Sequence, residues 1–206
     1  MIPKRIIYAW FGKNEKPRFI QKCIKTWEIL KDYEIIELNE KTFDINSYQY
    51  TKDAYGAKKW AFVADCAKMD YTYKNGGIIF DADIEVLKPF DDLLYNKAFT
   101  CKESSGRWLS AVMAAESNHL WIKKILDYYK NNKFEFNPRK ITNTVIIDNI
   151  NHELYKETIK DNIILNGDVI IYPRDYFECK SWSTGKIELS KNSYTIHHYN
   201  ASWLKI

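Results

Sequence analysis

Residues 61–75 (AFVADCAKMDYTYKN) carry apolar side chains at helical spacing and then meet Gly76-Gly77. A glycine at that point ends a helix, because it enters the left-handed region of backbone space without steric cost. The chain resumes as Ile78-Ile79-Phe80, an apolar run with glycine before it and Asp81-Ala82-Asp83 after it. Such a bounded run is the pattern of a buried strand, and a helix feeding directly into a buried strand is half of a βαβ unit. This junction points to an α/β sheet and sets Asp81 and Asp83 at the carboxyl end of a strand, where open α/β sheets bind ligands.

The spacing of the two aspartates carries chemistry. Side chains at i and i+2 of a strand share a face, so Asp81 and Asp83 converge on one point. Carboxylate oxygens suit Mg²⁺ or Mn²⁺, which keep coordination positions open for water and substrate phosphates. The alternative for an isolated Asp-x-Asp is a solvated strand end; the helix and strand before this one favour a metal-bound diphosphate site.

Composition narrows the partners. The 206 residues hold no Gly/Ser/Pro-rich linker, so a single domain over 1–206 is expected. The net charge of +4 is mild and the lysines are interspersed with acids, which argues against nucleic acid and remains compatible with phosphate ligands or peripheral contact with an anionic membrane. Cys23, Cys66, Cys101 and Cys179 are far apart and form no C-x-x-C pair, so buried reduced thiols are expected. No apolar leader precedes Lys4-Arg5, and no run approaches the roughly 20 apolar residues that span a bilayer; the expected location is cytoplasmic.

The remaining pattern alternates. Residues 5–10 predict a first strand, 11–14 its exit loop, 19–30 an amphipathic helix, 33–38 a second strand, 39–44 a polar loop, and 89–94 a turn with a short helix. Strands are expected near 110–114, 169–172 and 194–197, and helices over 119–130 and 142–150. The order of elements in the first half predicts a parallel sheet. Near the end stands His197-His198-Tyr199. Adjacent residues of a strand face opposite ways, so at most one of these histidines faces a metal held by the aspartates.

Four segments, in order along the chain, resemble the DXD-containing sugar transferases of glycosyltransferase family 32, a group found in bacterial capsule and surface-polysaccharide synthesis. They are Ile2-Pro3-Lys4 with Trp10-Phe11-Gly12; Ala61-Phe62-Val63-Ala64-Asp65; Gly76 through Asp83; and His197-His198-Tyr199 with Ser202-Trp203. The resemblance implies a GT-A fold, a Rossmann-like nucleotide-sugar-binding sheet that becomes mixed toward the C-terminus. It also implies Mn²⁺ (or Mg²⁺), a nucleotide-sugar donor with a UDP-sugar favoured, and retention of anomeric configuration. The transferred group would be a hexose or N-acetylhexosamine, and the acceptor a glycan or lipid-linked glycan. By the same resemblance Asp83 binds the metal with Asp81 and His198. Ala9, Trp10 and Gly12 hold the nucleoside, with Trp10 a stacking surface. Asp65 and Lys68 face the donor sugar and join Asp81 and Asp83 as the catalytic set. Ala82, Ser202 and Trp203 lie along the diphosphate. Asn143 and Thr144, at a predicted helix start, are further donor or acceptor contacts. The chain departs from the family at Ile7, where His is common, at Lys68, where Arg is common, and near Asn200 or Ala201, where Gly is common; a lysine keeps the charge and loses the planar fork.

The chemistry follows from the groups themselves. Breaking the bond from a sugar C1 to a diphosphate leaves negative charge on phosphate oxygens, which a cation stabilises, while an acceptor hydroxyl attacks and water must be kept out. Trp108 and Trp182, near Gly106 and Gly185, are candidates for that exclusion. Two other classes compete. A haloacid-dehalogenase-type phosphatase also places D-x-D after an apolar strand, but near the start of its chain and followed by Thr or Val and Gly, whereas Ile84-Glu85-Val86 follows here. A non-catalytic glycan-binding or scaffold subunit would keep the fold, and the presence of both aspartates argues against it.

Overall fold

The computed structural model describes residues 1–135, 142–154, 158–160, 163–166 and 168–200. Strand β1 (Arg5–Ala9) leads to α1 (Arg18–Thr26), a short 3₁₀ turn, β2 (Glu34–Leu38), α2 (Gln49–Gly56), α3 (Trp60–Asn75) and β3 (Gly77–Phe80). Then come β4 (Ile84–Val86), β5 (Ala98–Cys101), β6 (Val112–Ala115), α4 (Leu120–Asn131), α5 (Asn143–Leu154), β7 (Thr158–Lys160), β8 (Ile163–Asn166), β9 (Val169–Tyr172) and β10 (Thr195–His197).

Eight strands form one sheet in the order β2-β1-β3-β6-β5-β9-β8-β7, and β10 pairs with β4 in a separate two-stranded sheet. The expected parallel pairing holds for β1 with β2 and with β3. Beyond them the sheet is mixed: β6 runs antiparallel to both β3 and β5, while β5 and β9 are parallel. The parallel expectation rested on the first half of the chain; β6 enters beside β3 from the other direction because the β5–β6 connection is a short loop, with no crossover helix to reverse it.

Both faces of the central strands are buried, which is why they read as continuous apolar runs. Ile7 and Ile79 pack on one side with Phe62, Val63 and Cys66 of α3 and Trp121, Ile122 and Ile125 of α4. Ile6, Ile78 and Phe80 pack on the other with Trp27, Phe90, Phe99 and Phe177. Burying each such side chain contributes about 1.5–3 kcal/mol. The α3–β3 junction is tight: Gly76 sits at φ 68° with its amide on Thr72 O at 2.8 Å, and Gly77 sits at φ 131° against Arg5. A Cβ on Gly76 would lie 2.9 Å from Ser117 N, and one on Gly77 3.0 Å from Arg5 O.

The sequence missed α2, β4, β5, β7 and β8. Helix α2 is short and buries only Tyr50, Thr51 and Ala54, so its period is faint. Strand β4 has three residues, set by a tight turn. Trp108, expected to guard a cleft, is a core residue 1% exposed and tilted against Trp121 at 5.7 Å, whereas Trp182 is 67% exposed. Among the described residues no helix is long and apolar enough to cross a membrane.

Candidate functional site

Strand β3 stops at Phe80, and residues 81–83 form a turn rather than the strand end expected for them; Ile84 N closes it on Asp81 O at 3.1 Å. The two carboxylates therefore converge through a turn and not through strand alternation. β1 lies beside β3 with Ile7 opposite Ile79, so Ala9, at the end of β1, is level with the start of this turn.

The third group comes from the far end of the described chain. β10 runs antiparallel to β4 with His197 opposite Ile84, which brings His197 beside Asp83. Its Nε2 is 3.5 Å from Asp83 Oδ1. Asp81, Asp83 and His197 each offer a ligand atom, and these atoms lie within 4.8 Å of one another. His198, the histidine expected at the metal, is turned away: its Nε2 is 2.7 Å from Glu85 Oε2, and its ring meets Phe19 edge-on at 5.1 Å. The register of β10 on β4 turns His197, the last residue of the strand, toward Asp83 and leaves His198 beyond it.

Electrostatics tie the groups together. Burial pushes the Asp83 carboxyl up, but His197 and the amide of Asn200, which donates to Oδ2 at 2.7 Å, outweigh it and hold the acid down at about 2. For His197, burial favours the neutral ring, and the hydrogen bond and charge of Asp83, with Asp81 and Glu103 beyond, outweigh it and raise its pKa. Its Nδ1 is buried with no hydrogen-bond partner.

On the α3 side, Asp65 and Lys68 share one helix face. Lys68, 3% exposed, donates to Asp81 Oδ1 at 2.5 Å and lies 3.5 Å from Asp65 Oδ1. Burial would strip its proton, but Asp81 and Asp65 raise its pKa and keep it charged. Burial lifts Asp65 to about 6 against the pull of Lys68. Asn143, at the start of α5, accepts from Tyr129 Oη at 2.8 Å and stands near Asp65, although its own Nδ2 has no partner of ordinary geometry. Thr144 Oγ1 lies 3.2 Å from Ser110 Oγ.

Trp10 follows β1, half-buried, with Nε1 donating to Asn14 O at 2.7 Å. Gly12 N donates to Glu40 Oε1 at 2.8 Å. Ala82 is half-buried between the two aspartates, and Ser202 and Trp203 lie outside the described residues. The residues missed from sequence are His197 as the metal-facing histidine, Glu85 as the partner of His198, and Glu178 and Tyr199 behind them. Alternation in the last strand signalled that one histidine of the pair would face the aspartates, but not which one.

Three carboxylates, one ammonium and an imidazole thus meet at the end of β3. Two carboxylates and an imidazole suit Mn²⁺ or Mg²⁺-type hard to borderline cations, and the proton that Asp83 favours on His197 is one a divalent cation would replace. The donor set fits such an ion.

Residues 17–100 match the profile described as "Glycosyltransferase sugar-binding region containing DXD motif". Among solved structures the chain is similar to one titled "PaToxG Glycosyltransferase", at 17% identity and a TM-score of 0.57, over 74% of this chain and 69% of that one. It is also similar to a glycosyltransferase involved in the glycosylation of the major capsid of PBCV-1, at 12% identity and a TM-score of 0.52, over 98% of this chain and 97% of that one. No curated protein matches it in sequence. At these identities the structural likeness is one of fold. The match gives residues 17–100 the character of a glycosyltransferase sugar-binding region, and the structural likeness adds a shared fold.

Proposed function

We propose that this chain, acting as one domain over 1–206, moves a hexose or N-acetylhexosamine from a nucleotide sugar to a hydroxyl of a glycan or lipid-linked glycan. The observation that carries this reading is the meeting of Asp81, Asp83 and His197 within 4.8 Å, with buried Lys68 bridging Asp81 to Asp65. Asp83, Asp81 and His197 would hold Mn²⁺ or Mg²⁺, which supplies Lewis-acid stabilisation of the departing diphosphate. Lys68 keeps Asp81 oriented and offsets the excess negative charge where a diphosphate must enter. Asp65 and Asn143, which lie close to one another, would hydrogen-bond donor-sugar hydroxyls, with Thr144 beside them. Trp10, half-exposed beyond β1, offers a ring face to the base, with Ala9 and Gly12 beside it.

We further propose that transfer retains anomeric configuration by front-face attack, the leaving phosphate accepting the acceptor's proton. A UDP-sugar is the favoured donor, and family 32-type surface-polysaccharide synthesis at the inner face of a membrane is the favoured setting; the family resemblance supports both.

The test is donor binding and slow donor hydrolysis across UDP- and GDP-sugars with Mn²⁺, Mg²⁺ or EDTA, in wild type and Asp83→Ala. Metal-dependent release of one sugar, lost in Asp83→Ala, is the expected result. Absence of donor binding in both proteins would overturn it and favour a glycan-binding subunit.

A further inference from the structure

Glu178 is fully buried and sits behind the candidate metal site rather than in it. Its Oε1 accepts from Ser104 Oγ at 2.9 Å and from the hydroxyl of Tyr199. Its Oε2 has no hydrogen-bond partner, with Arg174 Nε at 3.7 Å. A buried carboxylate so sparsely satisfied is costly, and such groups persist where they fix something else. What Glu178 holds is Tyr199, whose ring lies 4.0 Å from the His197 ring and whose backbone is left-handed at φ 56°. A tyrosine in that region is strained and needs surroundings that impose it. The left-handed turn aims the next amide, Asn200 N, at Asp83 Oδ2 across 2.7 Å, while Lys180 Nζ holds His198 O at 3.2 Å.

We propose that Glu178 is a positioning residue that sets the metal affinity of the site through Tyr199. The Glu178–Tyr199 hydrogen bond pins the left-handed turn; the turn directs Asn200 onto Asp83; and the tyrosine ring backs the His197 imidazole so that it faces the two carboxylates. This inference rests on Asp81, Asp83 and His197 being the cation site.

The experiment is direct Mn²⁺ titration, by electron paramagnetic resonance of free Mn²⁺, of wild type, Tyr199→Phe, Glu178→Gln, Ser104→Ala and Asp83→Ala. Tyr199→Phe deletes one hydroxyl and is expected to raise the Mn²⁺ Kd roughly tenfold, in the range for partners that orient metal ligands. Its metal-free unfolding midpoint should stay close to wild type, and added Mn²⁺ should recover its kcat. Glu178→Gln retains an acceptor oxygen for Tyr199 and should lie between it and wild type; Ser104→Ala, which removes only the other bond, should bind as wild type does. A folded Tyr199→Phe protein with wild-type Mn²⁺ affinity overturns the positioning role while Asp83→Ala still loses Mn²⁺. If Asp83→Ala also binds Mn²⁺ normally, the metal-site reading fails instead.

Discussion

Lys68 and Asp81 form a buried-to-surface ion pair: the ammonium is 3% exposed, the carboxylate 35%, and they meet at 2.5 Å. Lys68 also faces Asp65, so removing it leaves two acids in one pocket. Lys68→Met is expected to destabilise the fold by about 1–3 kcal/mol, the exposed side of Asp81 screening part of the loss. Urea unfolding measures it. Lys68→Arg, whose fork reaches two carboxylates, should retain more of both stability and donor binding.

His197 and His198 separate cleanly. His197→Ala should weaken Mn²⁺ binding at least about tenfold. His198→Ala breaks the contacts with Glu85 and Phe19 and should lower stability while leaving Mn²⁺ affinity within a few-fold of wild type. Paired Mn²⁺ titrations and thermal melts check the contrast, and equal losses of affinity would contradict the placement of His197.

His119 makes stability depend on pH away from the site. It caps α4, its Nδ1 accepting from Trp121 N at 3.3 Å, and it is 7% exposed. Burial lowers its pKa below the ordinary 6.5, against the opposing charges of Asp168 and Glu116. The unfolded chain therefore takes up the proton first as pH falls. The stabilisation is complete above about 6.5 and is lost as pH drops from there through the lower folded value. Urea midpoints should fall between pH 7 and pH 5, and His119→Asn, which caps without titrating, should flatten that fall.

Gly76→Ala should cost about 1–3 kcal/mol, since the left-handed backbone and the approach of Ser117 N both oppose a methyl group. Chemical denaturation measures it; an unchanged midpoint would show that the α3–β3 junction relaxes freely.

The first half of this architecture was legible because each element carried a local signature. The glycine pair stopped α3, the apolar run marked β3, and the acids beyond it marked the site. Asp65 and Lys68 were legible for the same reason, since three residues along a helix is a fixed geometry. What sequence could not give was pairing. Nothing local says that β6 inserts antiparallel between β3 and β5, or that β10 seeks β4. The structure sets His197 rather than His198 beside Asp83, and the register that puts His197 opposite Ile84 is a property of two strands, not of either one. Glu178 was invisible because its meaning lies in its burial, and a glutamate in sequence is ordinarily a surface residue.

The small β4–β10 pair has a consequence for how the protein fails. Its ladder has three rungs, Thr195 on Val86, Ile196 on Glu85 and His197 on Ile84, and it joins segments about a hundred residues apart in a ladder separate from the eight-stranded sheet. A pairing this short and this non-local opens more readily than the central strands. Under gentle heating the imidazole should leave the aspartates while far-ultraviolet dichroism from the large sheet is still intact, so inactivation precedes melting, and a cation bridging the two segments would act as the rivet that closes the gap between those two temperatures.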